Sequence, residues 1–156
     1  MTPAINLAKK HRIAHRVHEY THDAGTESYG LEAAEKMGVD PRQVFKTLVV
    51  QLDSKQLAVG VVPVSAKLNL KAMAKACGAK KAAMADKQEV ERSSGYVLGG
   101  VSPLGQKKLL KTVLDASAAE FSTIFVSAGR RGLEIELSPA DLQSLVKGQL
   151  SPIAGQ

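Results

Sequence analysis

Two apolar runs separated by a short polar turn constrain the fold of this chain more than any other feature. Residues 47–52 are mostly apolar and β-branched, residues 53–56 are polar, and residues 57–64 are apolar again. Runs of this length around a four-residue turn predict a β-hairpin. We therefore expect antiparallel pairing at the centre of the sheet.

Helices and further strands flank this hairpin. Thr2-Pro3 and Ser138-Pro139 are typical N-cap and first-turn pairs, and Gly38, Gly78 and Gly148 follow predicted helix ends. The pattern predicts helices over residues 3–10, 31–37, 70–77, 86–93 and 139–147, a helical turn from Asp40-Pro41, and strands over 15–22, 82–85, 111–114, 123–127 and 133–137. Runs of strands with helices between some of them predict an α+β fold, in which helices wrap a curved, mostly antiparallel sheet.

Length and composition indicate one globular domain over residues 1–156. Hydrophobic residues make up 44% of the chain, and no apolar run approaches the roughly 20 residues of a membrane helix. No signal peptide is evident at the N-terminus, and Cys77 is the single cysteine, so no internal disulfide can form. These features predict a cytoplasmic protein without membrane contact.

The net charge of +6 leaves two interpretations open. A basic surface attracts polyanions such as nucleic acid, but a moderate charge also serves solubility alone. Aromatic residues make up only 4% of the chain and tryptophan is absent. This composition argues against a platform that stacks successive bases.

Lys46 and a glycine-rich loop are the first candidates for chemistry. Lys46 is predicted where a helical turn passes into the first strand of the hairpin, a position suited to holding a phosphate or a polarised carbonyl. The loop Gly99–Gly105 combines three glycines with Ser102 and Pro103, so its amides could be preorganised for an oxyanion. The alternatives are a surface lysine and a tight connection between strands.

The segment Ser127–Leu137 holds two further candidates. Arg130 and Arg131, flanked by glycines, suit either phosphate contact or a solvated hairpin loop. Glu134 and Glu136 share one face of a predicted strand, which fits general acid–base chemistry or a solvent-facing edge.

Neither the histidines nor the cysteine predicts a metal site. His11, His15, His18 and His22 have helical spacing, but the strand-like pattern from Arg16 onwards breaks that helix. Cys77 lies in an alanine-rich helix and is interpreted as a small packing residue. We expect no metal and no cofactor.

Four motifs in order give the chain a resemblance to a known family. These are Arg16–Tyr20 (RVHEY), Val44–Thr47 (VFKT), Gly99–Gly105 (GGVSPLG) and Val126–Leu137 (VSAGRRGLEIEL). Together they resemble the YbaK-type aminoacyl-tRNA editing family, which includes the insertion domain of bacterial prolyl-tRNA synthetases. The resemblance covers nearly the whole chain and implies a barrel-like, sheet-centred fold.

The resemblance also implies an activity and a site. Members of the family hydrolyse the ester between a wrong amino acid and the terminal adenosine of tRNA, and YbaK-type members clear cysteine from tRNA for proline. The residues expected to be catalytic are Lys46, Gly99, Gly100, Val101, Ser102 and Pro103. The residues expected to bind substrate are Tyr20, Phe45, Thr47, Ser127, Gly129, Arg130 and Glu134. The family usually has Asp where this chain has Glu134, which leaves the role of that residue open.

The resemblance implies attack by the substrate's own thiol, so that the protein needs no nucleophile. The expected partners are the acceptor end of aminoacyl-tRNA and prolyl-tRNA synthetase in a ternary complex, with the protein itself a monomer or weak dimer. The expected substrates are Cys-tRNA(Pro) and Cys-tRNA(Cys). Two alternatives stay open, an alanyl-tRNA deacylase of the same fold and a non-catalytic adaptor that binds aminoacyl-tRNA or a synthetase.

Overall fold

A five-stranded mixed sheet forms the centre of the fold. The computed structural model describes residues 1–25 and 28–155. The sheet follows the spatial order β5 (Ala82–Met84), β2 (Phe45–Leu52), β3 (Leu57–Pro63), β6 (Lys111–Asp115) and β9 (Gln149–Ser151). The pairs β2–β3 and β2–β5 are antiparallel, whereas β3–β6 and β6–β9 are parallel.

Two smaller antiparallel sheets complete the β-structure of the described residues. One has the order β1 (His15–Glu19), β8 (Leu133–Leu137) and β7 (Ile124–Arg130), and the other pairs β10 (Ala154–Gly155) with β4 (Lys67–Leu68). A parallel bridge between Val44 and Phe125 connects the start of β2 to β7. The predicted α+β class with a mostly antiparallel, mixed arrangement is confirmed.

The predicted central hairpin is confirmed, and different helices bury its two faces. Val49, Val59 and Val61 pack with α1 (Pro3–Lys10), α4 (Lys87–Ser94) and α5 (Pro139–Val146). Val50 and Val62 face the other way and pack against α3 (Leu70–Ala76). Burial on both faces explains why both strands are continuously apolar instead of alternating.

Helix starts follow the predicted cap chemistry. The side chains of Thr2 and Ser138 accept hydrogen bonds from the amides of Ile5 and Asp141, so the cap residues predicted for α1 and α5 are confirmed. Asp86 caps α4 in the same way by accepting from the amide of Glu89. The helix α2 (Tyr29–Met37) ends at Gly38, which adopts the predicted left-handed conformation.

Several predicted boundaries are wrong. Residues 41–43 form a hydrogen-bonded turn instead of a helical one, because β2 begins at Phe45 and leaves no room for a helix. The strand β1 stops at Glu19 instead of residue 22. At the end of α5 the left-handed residue is Lys147, not Gly148. The short strands β4, β9 and β10 have two or three residues each and were not predicted, because partners distant in sequence create them.

None of the helices in the described ranges has the length and apolar character required to cross a bilayer.

Candidate active site

A cleft of about 350 Å³ opens between four segments that are distant in sequence. They are the N-terminus of α2, the start of β2, the loop that follows α4, and the turn between β7 and β8. Its walls are mostly apolar, with Phe45, Val49 and Val90 among them, and a few polar groups project into it. A concave apolar site with few polar groups is typical of a small-ligand pocket.

Lys46 contributes a cation to this cleft beside Arg130 and Arg131. It is the second residue of β2, pairs with Val62 of β3, and is half-buried. The strand begins at Phe45, one residue before the junction between helical turn and strand that was predicted at Lys46. Burial lowers the pKa of Lys46, and the charge of Lys67 lowers it further. A partly desolvated ammonium group without an ion-pair partner among the described residues is available to an anionic or polarised substrate oxygen.

Glu134 contributes a buried carboxyl group. It lies in β8, the central strand of its sheet, directly opposite Ser127 of β7, and only 7% of the residue is exposed. Glu134 forms no hydrogen bond or ion pair within the described residues, and burial raises its pKa to about 8. Of the two interpretations made from the sequence, the solvent-facing edge is wrong for Glu134, because β1 and β7 cover both edges of β8.

Tyr20 lies beside this carboxyl group at the wall of the cleft. Its amide donates a 2.9 Å hydrogen bond to the carbonyl of Gly132. Burial raises the pKa of the Tyr20 hydroxyl, and the nearby Glu134 adds to the effect. The phenol therefore stays protonated at neutral pH and can donate to a substrate oxygen.

A network of side chains closes the rim of the cleft. The guanidinium carbon of Arg131 lies 3.7 Å from the centroid of the Tyr29 ring, and an Arg131 nitrogen lies 3.2 Å from His22 Nδ1. The same His22 nitrogen lies 2.6 Å from Glu32 Oε1, and Glu32 Oε2 accepts from the amide of Asp23. These contacts tie α2 to the turn between β7 and β8.

The glycine-rich loop packs tightly against this rim. Gly99 has a φ of +95°, and a Cβ added there would lie 2.9 Å from the ring of Tyr29. A Cβ on Gly100 would lie 2.7 Å from the Cα of Arg130. Close approach of the loop to the β7–β8 turn therefore requires glycine at both positions.

The loop amides divide into bonded and unbonded groups. Gly100 donates its N–H to the carbonyl of Val97, at 3.0 Å. The amides of Gly99, Val101 and Ser102 donate to no acceptor within residues 1–25 and 28–155. Gly99 and Val101 line the cleft, so two unbonded amides belong to residues at its wall.

The structure brings most of the predicted site residues together. Those that line the cleft are Tyr20, Phe45, Lys46, Thr47, Gly99, Val101, Ser127, Arg130 and Glu134. Those that do not are Gly100, Ser102, Pro103 and Gly129.

Residues outside the lining support the loop instead. Ser102 is fully buried, and its hydroxyl accepts from the amide of Leu104. The hydroxyl of Tyr96 donates to the carbonyl of Leu104 at 2.6 Å, which fixes the far side of the loop. Gly129 packs against Tyr96 and Thr2. Their positions indicate support of the loop and no direct contact with a ligand in the cleft.

The histidines belong to separate contacts. His18 Nε2 lies 2.9 Å from Glu136 Oε1, His15 Nδ1 lies 2.7 Å from the carbonyl of Ile13, and His22 belongs to the rim network. Cys77 caps the end of α3 away from the cleft lining, and burial raises the pKa of its thiol.

Comparison with known proteins agrees with this architecture. Residues 25–145 match the family described as the aminoacyl-tRNA editing domain. The chain belongs to this family. The editing domain is therefore an enzyme that acts on aminoacyl-tRNA, and the deacylase class expected from the sequence is confirmed.

Two known proteins are similar in sequence over most of this chain. EbsC of Enterococcus faecalis, named as a candidate Cys-tRNA(Pro)/Cys-tRNA(Cys) deacylase, is 37% identical over 154 residues, which is 97% of this chain and 92% of EbsC. YwhH of Bacillus subtilis, an uncharacterised protein, is 33% identical over 111 residues, 71% of this chain and 70% of YwhH.

Solved structures show the same fold. The hypothetical protein APE2540 superimposes with a TM-score of 0.87 at 24% identity, covering 98% of this chain and 99% of that one. A candidate trans-editing enzyme for prolyl-tRNA synthetase gives a TM-score of 0.83 at 21% identity, covering 99% of this chain and 93% of that one.

Several residues of the editing domain's cleft were not predicted from the sequence. Tyr29, Leu98 and Met84 line it, and Arg131 lines it in contact with Tyr29 instead of standing in solvent. No spacing in the sequence pairs Tyr29 with Arg131, because 101 positions separate them. Leu98 and Met84 are 53% and 50% exposed, which indicates an apolar mouth of the cleft. This exposure is a property of the folded chain, so the sequence alone does not show it.

Proposed function

We propose that this editing domain removes cysteine from mischarged tRNA, with Cys-tRNA(Pro) as the main substrate and Cys-tRNA(Cys) as a further one. The observation that carries the proposal is a cleft with a cation and unbonded amides, in which no described residue is an activated nucleophile. The name of EbsC supports the substrate class by similarity, at 37% identity.

Within the part of the chain that the structure describes, no hydroxyl of the lining is hydrogen-bonded to a general base. The Oγ1 of Thr47 is buried and has no hydrogen-bond partner among the described residues. The Oγ of Ser127 accepts from the amide of Gly129 at 3.1 Å and contacts no histidine or lysine in the described ranges. A hydroxyl without a base is a poor nucleophile at neutral pH. The nucleophile is therefore expected to come from the substrate or from water.

The substrate's own thiol fulfils this role in the proposed mechanism. The cysteine sulfur attacks the ester carbonyl carbon, the carbon–oxygen bond to the ribose breaks, and the ribose oxygen takes up the proton that the thiol releases. The product leaves as a cyclic thiolactone, which water then hydrolyses to free cysteine. An aminoacyl ester is already activated, so orientation and stabilisation of the oxyanion supply much of the rate.

The residues of the cleft have distinct roles in this mechanism. The amides of Gly99 and Val101 donate to the developing oxyanion, because they are unbonded in the free protein. Lys46 holds a ribose or phosphate oxygen of the terminal nucleotide. Glu134 and Tyr20 receive the amino-acid moiety. Burial keeps Glu134 protonated in the free protein, and the ammonium group of the bound amino acid favours its ionised form.

Partner and location follow as part of the proposal. The cleft of about 350 Å³ receives the amino acid and the terminal nucleotide, which leaves recognition of the rest of the tRNA to other contacts. We expect the domain to obtain tRNA specificity by forming a ternary complex with prolyl-tRNA synthetase in the cytoplasm. The structural neighbour described as a candidate trans-editing enzyme for that synthetase supports this expectation through its fold.

A deacylation panel tests the proposal. The purified protein is incubated with tRNAs that carry cysteine, serine, alanine or proline, and the loss of each ester is followed. The proposal expects cysteine to be released far faster than serine, because binding alone separates such similar side chains by only about 10- to 200-fold. Rapid trapping of the product should capture the thiolactone.

The other outcomes identify the alternatives. Faster release of alanine than of cysteine would identify an alanyl-tRNA deacylase. Equal rates for cysteine and serine, or linear cysteine as the sole product, would favour a water molecule held near Gly99. Binding of all four tRNAs without deacylation would identify an adaptor.

A further inference from the structure

Lysines are distributed unevenly along this chain. Residues 54–85 contain six lysines and no aspartate or glutamate, and residues 92–114 contain one arginine, three lysines and again no acidic residue. These two segments hold ten of the 21 lysines and arginines and none of the acidic residues, so the excess of positive charge lies in them. Both contribute to the region around α3.

Four of these lysines follow α3 from the cleft to its far end. Lys67 lies in β4 just before the helix, close enough to Lys46 to act on its ammonium group. Lys71 and Lys75 lie four positions apart on α3, so they share one face, opposite the buried Met73. At the far end, the Nζ of Lys111 lies 3.5 Å from the carbonyl of Cys77, the residue that ends α3.

These four side chains are exposed and uncompensated. Lys67, Lys71, Lys75 and Lys111 are exposed, and none forms an ion pair with a residue in the described ranges. Lys71 lies in the first turn of α3, where the helix dipole disfavours a cation and no acidic residue is present. The electrostatics of the helix therefore do not explain a lysine at this position.

We propose that the exposed face of α3 formed by Lys71 and Lys75, with Lys67 and Lys111 at its two ends, binds the phosphate backbone of the tRNA acceptor arm. This inference rests on the proposed function, since the terminal nucleotide must enter the cleft beside Lys46. The helix is about 10 Å long at 1.5 Å per residue, so its lysines can reach more than one phosphate. Lysine contacts of this kind position a nucleic acid without reading its sequence.

The test compares two double variants that remove the same charge. K71A/K75A changes the proposed face, and K9A/K10A removes two exposed lysines from α1, which packs against β7 in a core cluster separate from that of α3. Binding of uncharged tRNA is measured between 50 mM and 300 mM salt. For K71A/K75A we expect roughly tenfold weaker binding near physiological salt and a salt slope reduced by about two, one for each phosphate contact.

Activity on two substrates separates this inference from the proposed function. K71A/K75A should raise the KM for full-length Cys-tRNA but leave cleavage of a cysteinyl ester of the isolated terminal adenosine unchanged. If the wild type cleaves neither substrate, the proposed function fails. A selective loss of tRNA binding in K71A/K75A would in that case still support the proposal that the lysine face of α3 binds tRNA. Equal effects of the two double variants on tRNA binding, or binding of anionic lipid vesicles in place of tRNA, would overturn it.

Discussion

Arg131 covers the ring of Tyr29, with its guanidinium carbon 3.7 Å from the ring centroid. Tyr29 is the first residue of α2, and Arg131 lies in the turn between β7 and β8, so this contact joins two walls of the cleft. A cation–π contact that is partly withdrawn from solvent contributes about 0.5–2 kcal/mol. It therefore holds the mouth of the cleft in a defined shape.

Substitution of Tyr29 should test this contact. Tyr29→Leu removes the aromatic face and should lower the free energy of unfolding by about 1 kcal/mol. The deacylation rate should fall by a larger factor than this loss of stability corresponds to. Tyr29→Phe keeps the ring and serves as the control, with near-normal values for both. Urea unfolding and deacylation rates are the measurements, and identical behaviour of the two variants would show that the ring has no role at the rim.

Gly99→Ala should disturb the same rim from the loop side. The new Cβ would lie 2.9 Å from the Tyr29 ring and 3.3 Å from Arg131 Cδ, in addition to the strain at φ +95°. We expect a loss of about 1–2 kcal/mol in stability and at least a tenfold loss in deacylation. Gly78→Ala is the matched control, because Gly78 has a φ of +71° but nothing within 4 Å. Full activity in both variants would contradict the proposed packing.

Glu134→Gln should change how stability depends on pH. Burial raises the pKa of Glu134 to about 8, so the folded protein keeps this proton while the unfolded chain loses it above pH 4.5. The wild type should therefore lose stability as pH rises from about 4.5 to about 8. The variant should not, and should be the more stable protein at pH 8.5 by up to about 5 kcal/mol, from 1.36 kcal/mol per pKa unit.

Glu136→Gln provides the opposite case on the same strand. Partial burial acts to raise the pKa of Glu136, but hydrogen bonds from Thr123 and His18 outweigh it and hold the pKa below its usual value. This carboxylate should stabilise the folded state above pH 4.5, and that contribution should be lost as pH falls. Unfolding curves at pH 5 and pH 8.5 should show a destabilised Glu136→Gln at both values. The same pH trend in both Gln variants would show that the two carboxyl groups share one environment.

Lys46→Ala should remove most deacylation while the fold is kept. The ammonium group is half-buried and pairs with no described residue, so its loss removes a contact to substrate without breaking an ion pair or hydrogen bond of the described protein. A charge-assisted hydrogen bond of about 2–3 kcal/mol corresponds to roughly 30- to 150-fold in rate. Thermal unfolding should confirm an intact fold, and near-normal rates in that folded protein would exclude Lys46 from the site.

Cys77→Ala and treatment with a strong chelator should both leave deacylation unchanged. Cys77 lies at the end of α3, away from the cleft lining, with a thiol whose pKa is raised by burial. His15, His18 and His22 form contacts with Ile13, Glu136 and Glu32 respectively, and none of the three lines the cleft. Rates before and after dialysis check the second point, and a loss restored by zinc would identify a metal requirement.

Local features of the sequence determined the central hairpin, most helices and their caps. The apolar runs on either side of residues 53–56 define β2 and β3 because both faces of each strand are buried, and Thr2, Asp86 and Ser138 cap helices through contacts only three residues away. The family motifs predicted the enzyme class, which the family match confirms, and singled out Lys46 and the Gly99 loop as candidates. These features depend on neighbours in sequence, so the chain itself reveals them.

The tertiary structure alone decided the environment of each site residue. Glu134 and Glu136 are equivalent in the Leu-Glu-Ile-Glu-Leu pattern, yet one is enclosed by the cleft with a raised pKa and the other is held ionised by Thr123 and His18. The contact between Tyr29 and Arg131, and the lysine face along α3, likewise depend on which distant elements pack together. Burial and charge pairing arise from those long-range contacts, which no local pattern encodes.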